Sequence, residues 1–322
     1  VQYRLLGRSG LHVSTVSLGT ATFGVRPLAG DVDALVGHAL ELGINFFDCA
    51  NSYGNRPHFD QPGAPPAHER KSAEELLGSA LRGRRAEIVL ATKVDEPIGP
   101  GPNDRGLSRS HVMAQVETSL RRLQTDYIDV YYAHHPDPNT PIETMVRIFN
   151  ELIYQGKIRY YALSQFSPSQ VIETLWAADR LGLEAPIGNQ VAYSLAYRRI
   201  EQELMGACAR HDVSILPFSP LGGGLLGGIA SARRDVVGNA RWGGSRYSDA
   251  DLSFAEGFEK LSRSWGLEPA EVAIAWLLAH PSVASAVVGS TTAEGLEQNA
   301  RGAGVELSVE QIAELDALSA GR

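Results

Sequence analysis

Four residues of this 322-residue sequence are of the types that could move a proton together: Asp48, Tyr53, Lys93 and His134. Asp48 and Tyr53 stand in "FFDCANSYG" (46–54), Lys93 in "LATKV", and His134 beside His135 in "YYAHHPDP". A Tyr hydroxyl, with an ordinary pKa of about 10, donates its proton reluctantly near neutral pH. A neighbouring ammonium favours the phenolate and lowers that pKa. A carboxylate such as Asp48 would hold the Lys charged and in place. A His would donate a hydrogen bond to a substrate oxygen and orient it. The set predicts acid–base work on an oxygen. Each member alone has a plainer reading: a structural ion pair for Lys93, ring packing for Tyr53, a loop cap for Asp48, backbone partners for the two His.

The elements that must position these residues alternate without a break. "VSTVSLGTATFG" reads as a strand, and "DVDALVGHALELG" as a helix capped by Asp31 and stopped by Gly43. "INFFDCA" is a strand, and "SAEELLGSALRG" a helix whose Ser72 and Glu75 have capping-box spacing. "EIVLATKV", "YIDVYYAHH", "IRYYALSQ", "PIGNQVAY", "VSILPFS" and "SAVVGS" continue the strands, with helical patterns between them. The stretch between "PLGGGLLGG" and the helix "PAEVAIAWLLAH" reads as irregular. "VQYRLLGRSGLHVS" predicts an N-terminal β-hairpin turning at "GRSG", and "SVEQIAELDALS" an added last helix. Eight strand–helix units predict an α/β fold, a (β/α)8 TIM barrel. The open doubly wound sheet is the alternative, but no G-x-G-x-x-G follows the first strand. No linker is visible, so residues 1–322 read as one barrel domain. In a barrel of this kind chemistry lies at the C-terminal strand ends. Those ends carry Asp48, Lys93, His134, Ser164, Gln165, Asn189, Gln190, Ser219 and Ser290.

Composition narrows the rest. A 43% hydrophobic chain can bury a large core. A net charge of −8 with acids and bases interleaved argues against a nucleic-acid or membrane partner. Cys49 and Cys208 have no metal-like or redox-like spacing and are expected to be reduced thiols of a cytoplasmic protein. No apolar run reaches membrane-spanning length and no signal-peptide layout opens the chain. No metal-ligand cluster stands out, so no metal is expected.

The segments "FFDCANSYG", "LATKV", "SLRRLQTDYIDVYYAHHPDP", "ALSQFS", "NQVAYSL" and "PFSPLGGGLLGG" together resemble the aldo-keto reductase superfamily. The likeness covers nearly the whole chain and is greatest to the branch of aryl-alcohol-dehydrogenase-like reductases and potassium-channel β subunits. The resemblance implies Tyr53 as general acid, Lys93 as the partner that lowers its pKa, and Asp48 as the carboxylate paired with that Lys. His134 matches the catalytic His of a His-x-Pro-Asp pattern, which leaves His135 on the rim. The cofactor implied is NADP (NADPH), with NAD possible. Ser164, Gln165 and Gln190 match the nicotinamide carboxamide contacts, though the family usually has Asn where Gln165 stands. Phe218 matches the ring stacked on the nicotinamide. Ser219, Leu221 and Gly223 match the loop that cradles the pyrophosphate, and Thr20 and Ala21 complete the cofactor contacts. Ser290, Thr292, Gln298 and Asn299 match the adenosine end. Relatives often carry Lys or Arg there, where this chain has Gly289, Thr291 and Gly295. A helix N-terminus and hydroxyls can also hold a phosphate.

The activity so implied is NADPH-dependent reduction of an aldehyde or ketone, with deoxysugar-nucleotide ketoreduction as a sub-case. Two readings stand beside it: a Schiff-base aldolase using Lys93, and a nicotinamide-binding regulatory subunit that does not turn over. The substrate is not legible. Its pocket is expected to be shaped by the Pro-rich insertion from Asn55 to Arg70, by the Ala230–Tyr247 segment and by the C-terminal end. The insertion is either a lid beside Tyr53 or a disordered surface loop.

Overall fold

The structure, a computed structural model, describes residues 1–233 and 247–322. Two short strands, β1 (Tyr3–Leu5) and β2 (His12–Ser14), pair as the expected antiparallel hairpin. Eight parallel strands then close a barrel: β3 (Val16–Gly19), β4 (Phe46–Asp48), β5 (Val89–Val94), β6 (Ile128–Ala133), β7 (Ile158–Ser164), β8 (Gly188–Ala192), β9 (Ser214–Phe218) and β10 (Ala286–Val288). They neighbour one another in chain order, and β10 closes on β3. The (β/α)8 barrel and its hairpin stand as the sequence predicts.

The two-residue period of a strand sorts the side chains. Phe46, Val89, Ala91, Val130, Tyr132, Ala162 and Leu216 fill the barrel interior, where Leu6 and Val13 of the hairpin join them. The hairpin therefore plugs one end. The intervening residues Phe47, Leu90, Tyr131 and Leu163 pack outward on the helices. Carried forward two residues at a time, the interior rows run from Phe46 to Asp48, from Ala91 to Lys93 and from Tyr132 to His134. Pattern alone thus sends all three polar groups to the open, C-terminal end of the barrel.

Helix α1 (Val32–Glu41) begins at Asp31, but Asp31 caps nothing with its side chain. A 3-10 turn over Ala29–Asp31 leads into the helix and already gives Asp31 a helical backbone (φ −97°, ψ −8°). An N-cap carboxylate needs an extended backbone to reach back to the free N–H groups. Helix α2 (Ala73–Ala80) does carry the Ser72/Glu75 capping box. Helices α3 (Arg109–Leu123), α4 (Ile142–Tyr154), α5 (Pro168–Leu181) and α6 (Leu204–Arg210) follow their strands. After a short α7 (Ile229–Ala232), part of the stretch read as irregular is a sixteen-residue helix, α8 (Asp249–Ser264). Its start is a capping box closed by Ser248 and Asp251, and it buries Phe254, Ala255 and Phe258 on one face. The shorter Asp in place of Glu or Gln hides that start signal. Helices α9 (Pro269–Leu278) and α10 (Ala293–Gly302) flank β10, and α11 (Val309–Leu318) is the added last helix. No helix among the described residues is long and apolar enough to cross a membrane.

One close approach locks two neighbours in the helix ring. A Cβ built on Gly78 of α2 would lie 2.5 Å from the Arg122 carbonyl oxygen and 2.6 Å from the Leu123 Cα at the end of α3. Helix propensity alone predicts that Gly78→Ala stabilises by roughly 0.8–1 kcal/mol. Backbone cannot move aside as a side chain can, so the overpacking term of about 1–3 kcal/mol wins. Gly78→Ala should lower the urea midpoint, measured by circular dichroism; a raised midpoint would show that α2 and α3 slide apart freely.

Candidate active site

At the C-terminal mouth of the barrel, β4, β5 and β6 lie side by side, with Asp48 opposite Ala91 and Lys93 opposite Tyr132. Lys93 is fully buried and Asp48 nearly so, and the Lys93 Nζ donates to Asp48 Oδ1 in a tight ion pair. Nζ also donates to the Cys49 carbonyl at 3.0 Å and to the Tyr53 hydroxyl oxygen at 3.3 Å. The other Asp48 oxygen accepts from Gln190 Nε2 at 2.8 Å, across the barrel from β8. His134 Nε2 lies 3.5 Å from the Tyr53 hydroxyl. The four residues picked from the sequence are therefore one connected cluster, and their common point is the Tyr53 oxygen.

Tyr53 reaches that point from the sharp turn after β4. Its N–H bonds the Ala50 carbonyl at 3.2 Å, and Gly54 follows at φ +86°, a backbone that side chains rarely adopt. A Cβ at Gly54 would also strike the Phe23 carbonyl oxygen at 2.7 Å, so both space and backbone select glycine. Phe59 packs edge-on against the Tyr53 ring, at 6.2 Å between centroids and 84° between planes. Lys93 Nζ sits 4.9 Å from the centre of the same ring.

The charges can be assigned. Burial pushes the Tyr53 hydroxyl above its ordinary pKa, and the pull of Lys93 in the other direction does not overcome it. The expected net lowering is thus not the resting state, although Lys93 acts in the expected sense. Burial works against the Lys93 charge as well, but Asp48 and the Tyr53 oxygen outweigh it and raise its pKa. His134 is held well below its ordinary pKa by burial, then by Lys93 and His135. At neutral pH the cluster is an ammonium on a carboxylate, a protonated Tyr and a neutral imidazole. That arrangement offers a proton from Tyr53 and a hydrogen bond from His134 to one oxygen placed between them. It disfavours Lys93 as a Schiff-base nucleophile, which needs a lowered pKa.

The residues matched to a nicotinamide cofactor continue around the rim. Ser164 and Gln190 are buried on adjoining strands and opposite in register. Gln165 is exposed and held at φ +60°, its N–H on the Gln190 carbonyl at 2.9 Å. Buried Asn189 bonds the Phe166 carbonyl and so supports the turn after β7. Phe218 ends β9 half-buried, and Ser219 follows at φ +52°. Next comes a tight coil: Leu221 is right-handed (φ −96°, ψ 16°), Gly222 and Gly223 left-handed (φ +58° and +70°). Such a change of hand turns successive N–H groups to one concave side, where they suit an anion. The Gly222 and Gly224 N–H groups close this coil on the Ser219 and Leu221 carbonyls, which sets Gly223 between them. On the neighbouring strand end, buried Asn299 donates to Ser290 Oγ at 3.1 Å, with Gln298 half-buried beside it on α10. Thr292 is exposed and caps α10 by accepting from the Gly295 N–H at 3.1 Å. The Thr20 hydroxyl is buried and donates to the Asp48 carbonyl at 3.0 Å, which ties β3 to the cluster; Ala21 beside it is half-buried. These strained turns, the concave Gly coil and the N-terminus of α10 fit a dinucleotide laid across the ends of β7 to β10.

The Pro-rich insertion is an ordered loop. Arg70 clasps it from one end, donating to the carbonyls of Gly54 (2.7 Å), Pro65 and Arg56 (2.9 Å) and to Asp60 Oδ1 (2.7 Å). Phe59 is buried inside it, and the His58 ring stands exposed against Phe59 at 4.1 Å. The expected disordered alternative is thereby overturned: a guanidinium with several loop acceptors replaces the missing apolar core. Of the Ala230–Tyr247 segment, residues 234–246 lie outside the described residues. Sequence reasoning missed the Gln190–Asp48 bond, the Arg70 clasp and the Phe59 contact. The one local signal was an Arg and an aromatic inside an otherwise polar, Pro-rich stretch.

Comparison with known proteins identifies the family of the chain. Residues 15–320 match the model of the aldo/keto reductase family. A probable voltage-gated potassium channel subunit beta of Arabidopsis thaliana is 36% identical, over 93% of this chain and 90% of that one. An uncharacterized oxidoreductase, YrpG, of Bacillus subtilis is 33% identical over 100% of this chain and 97% of its own. An L-glyceraldehyde 3-phosphate reductase of Escherichia coli O157:H7 is 29% identical over 98% and 92%.

Proposed function

The chain belongs to the aldo/keto reductase family, and from that premise we propose that it reduces an aldehyde or ketone to an alcohol using NADPH. The observation that carries this reading is the Tyr53 hydroxyl, 3.3 Å from Lys93 Nζ and 3.5 Å from His134 Nε2 at the open end of the barrel. The bound cofactor would supply the hydride for the carbonyl carbon. Ser164, Gln165 and Gln190 would hold its carboxamide, Phe218 would stack on its ring, and Ser219, Leu221 and Gly223 would cradle its phosphates. Ser290, Thr292, Gln298 and Asn299 would hold its adenosine end, with Thr20 and Ala21 on the near wall.

The chain's own groups do the proton work. His134, neutral and with its proton on Nε2, hydrogen-bonds the carbonyl oxygen and places it against Tyr53. Tyr53, protonated at rest, gives its proton to that oxygen as negative charge builds there. Lys93 then stabilises the phenolate left behind, and Asp48 keeps Lys93 charged and aimed. Burial keeps the Tyr53 hydroxyl protonated at rest, and the Lys93 ammonium offsets the reluctance of so weak an acid as charge develops. The test is loss of NADPH absorbance across a panel of aldehydes, ketones and keto-deoxysugar nucleotides. Turnover of any supports reduction and ranks the substrate class. NADPH binding without turnover of any would favour instead a regulatory subunit, the reading that the potassium-channel relative raises.

Substrate selection is assigned to the Arg70-clasped loop, which begins at the turn carrying Tyr53 and packs Phe59 on its ring. Replacing residues 56–66 by a short Gly-Ser link should change KM or the order of preferred carbonyls. NADPH affinity, read by fluorescence titration, should stay within about twofold, because the proposed cofactor contacts lie elsewhere on the rim. Identical kinetics over the whole panel would make the loop a bystander.

A further inference from the structure

The mouth of the barrel holds a second group of side chains that proton transfer does not use. Strands β5 and β6 end in register, Val94 opposite Ala133, and the His134 N–H bonds the Val94 carbonyl at 2.9 Å. The next residues, Asp95 and Glu96 on one strand and His134 and His135 on the other, therefore face each other on the rim. One ligand atom each from Glu96, His134 and His135 lie within 4.8 Å of one another. The two imidazole rings stack at 4.6 Å with 18° between their planes. His134 is 92% buried, at 8% exposure, and its Nδ1 has no hydrogen-bond partner among the described residues. His135 Nδ1 lies 3.0 Å from Asp95 Oδ2 and 3.4 Å from Glu96 Oε1. Asp95 itself is held at φ +144°, a backbone rare outside glycine, with its carbonyl on the Gly106 N–H at 2.7 Å.

We propose that Glu96, His134 and His135 form a binding site for a divalent cation of the zinc class, and that occupancy shuts off the reductase. Two imidazoles and one carboxylate are a donor set for zinc, copper or nickel and a poor one for magnesium or calcium. With metal–ligand bonds of about 2.0–2.2 Å, tetrahedral donors sit roughly 3.3–3.5 Å apart. Drawing the cluster in by about an ångström or more meets that spacing, and the half-exposed Glu96 side chain can make most of that move by a change of rotamer. Asp95 orients the His135 ring, as a carboxylate commonly does behind a metal-bound imidazole. Inhibition follows from His134. Its unpaired Nδ1 takes the cation, and drawing the ring in carries Nε2 off the carbonyl oxygen beside Tyr53, where a misplacement of about an ångström can cost about 10²-fold in rate. That consequence rests on the proposed reductase activity; the binding does not.

The experiment titrates CoCl2 into the full-length chain and follows the visible absorption of the bound ion, then displaces it with ZnCl2. One ion per chain is expected. Glu96→Gln and His135→Ala should each weaken binding at least the roughly tenfold seen even for residues behind a ligand. In chelator both variants should reduce carbonyls near the wild-type rate, and their turnover should resist ZnCl2 that stops the wild type. A wild-type titration without an absorption band, or equal affinity in both variants and the wild type, overturns the site. A cobalt band lost in both variants, with no carbonyl turned over by any form, keeps the site and sinks the reductase reading.

Discussion

Tyr53→Phe should lose carbonyl reduction by roughly 10²–10⁴-fold while the protein folds and binds NADPH as before. Phe keeps the ring and its edge-on contact with Phe59. What is removed is an oxygen with two long hydrogen-bond contacts, 3.3 Å to Lys93 and 3.5 Å to His134. Lys93 keeps Asp48 and the Cys49 carbonyl as acceptors, so no buried charge is orphaned. The stability cost should stay near that of one ordinary hydrogen bond, about 1 kcal/mol. The fall should appear in kcat, since the proton is needed only as the carbonyl oxygen gains charge. Reduction at a near wild-type rate would remove Tyr53 from the chemistry and leave His134 as the nearest remaining donor.

How far the sequence foretold this site depends on the reach of each interaction. The barrel was legible because strand and helix periods are local and repeat eight times. The polar groups on the strand ends were legible for the same reason: Asp48, Lys93 and His134 each continue an interior row two residues beyond an apolar one. The Gln190–Asp48 bond joins residues 142 apart, and no local pattern carries it. The Arg70 clasp fixes a loop that its own composition marks as unstructured, and only the folded carbonyl positions reveal it. Helix α8 was missed because an Asp closes its capping box where Glu or Gln is the usual signal. The Tyr53 pKa is the subtlest case. The sequence identifies the neighbouring ammonium, but the sign of the net shift is set by burial, which only the packed structure supplies.

Lys93→Met separates the two jobs that this burial gives to one side chain. Lys93 is fully buried and pairs with an almost fully buried Asp48. Removing one partner of such a pair leaves an uncompensated charge and costs about 3–5 kcal/mol. Gln190 still donates to Asp48 Oδ2, so the loss should fall toward the lower end. Met fills the space of the Lys stem, which keeps cavity formation out of the comparison. The single variant should therefore melt earlier and also lose kcat, since nothing is left to stabilise the Tyr53 phenolate. Those two losses are confounded until the orphan charge is taken away. Lys93→Met combined with Asp48→Asn should recover most of the melting temperature, because Asn keeps an acceptor for Gln190 and carries no charge. It should recover none of the kcat, because the ammonium next to Tyr53 is still missing. Raising substrate concentration should not restore either variant. A double variant that regained both stability and turnover would make Lys93 a structural counter-ion for Asp48, and the proton would have to leave Tyr53 without help from a neighbouring charge.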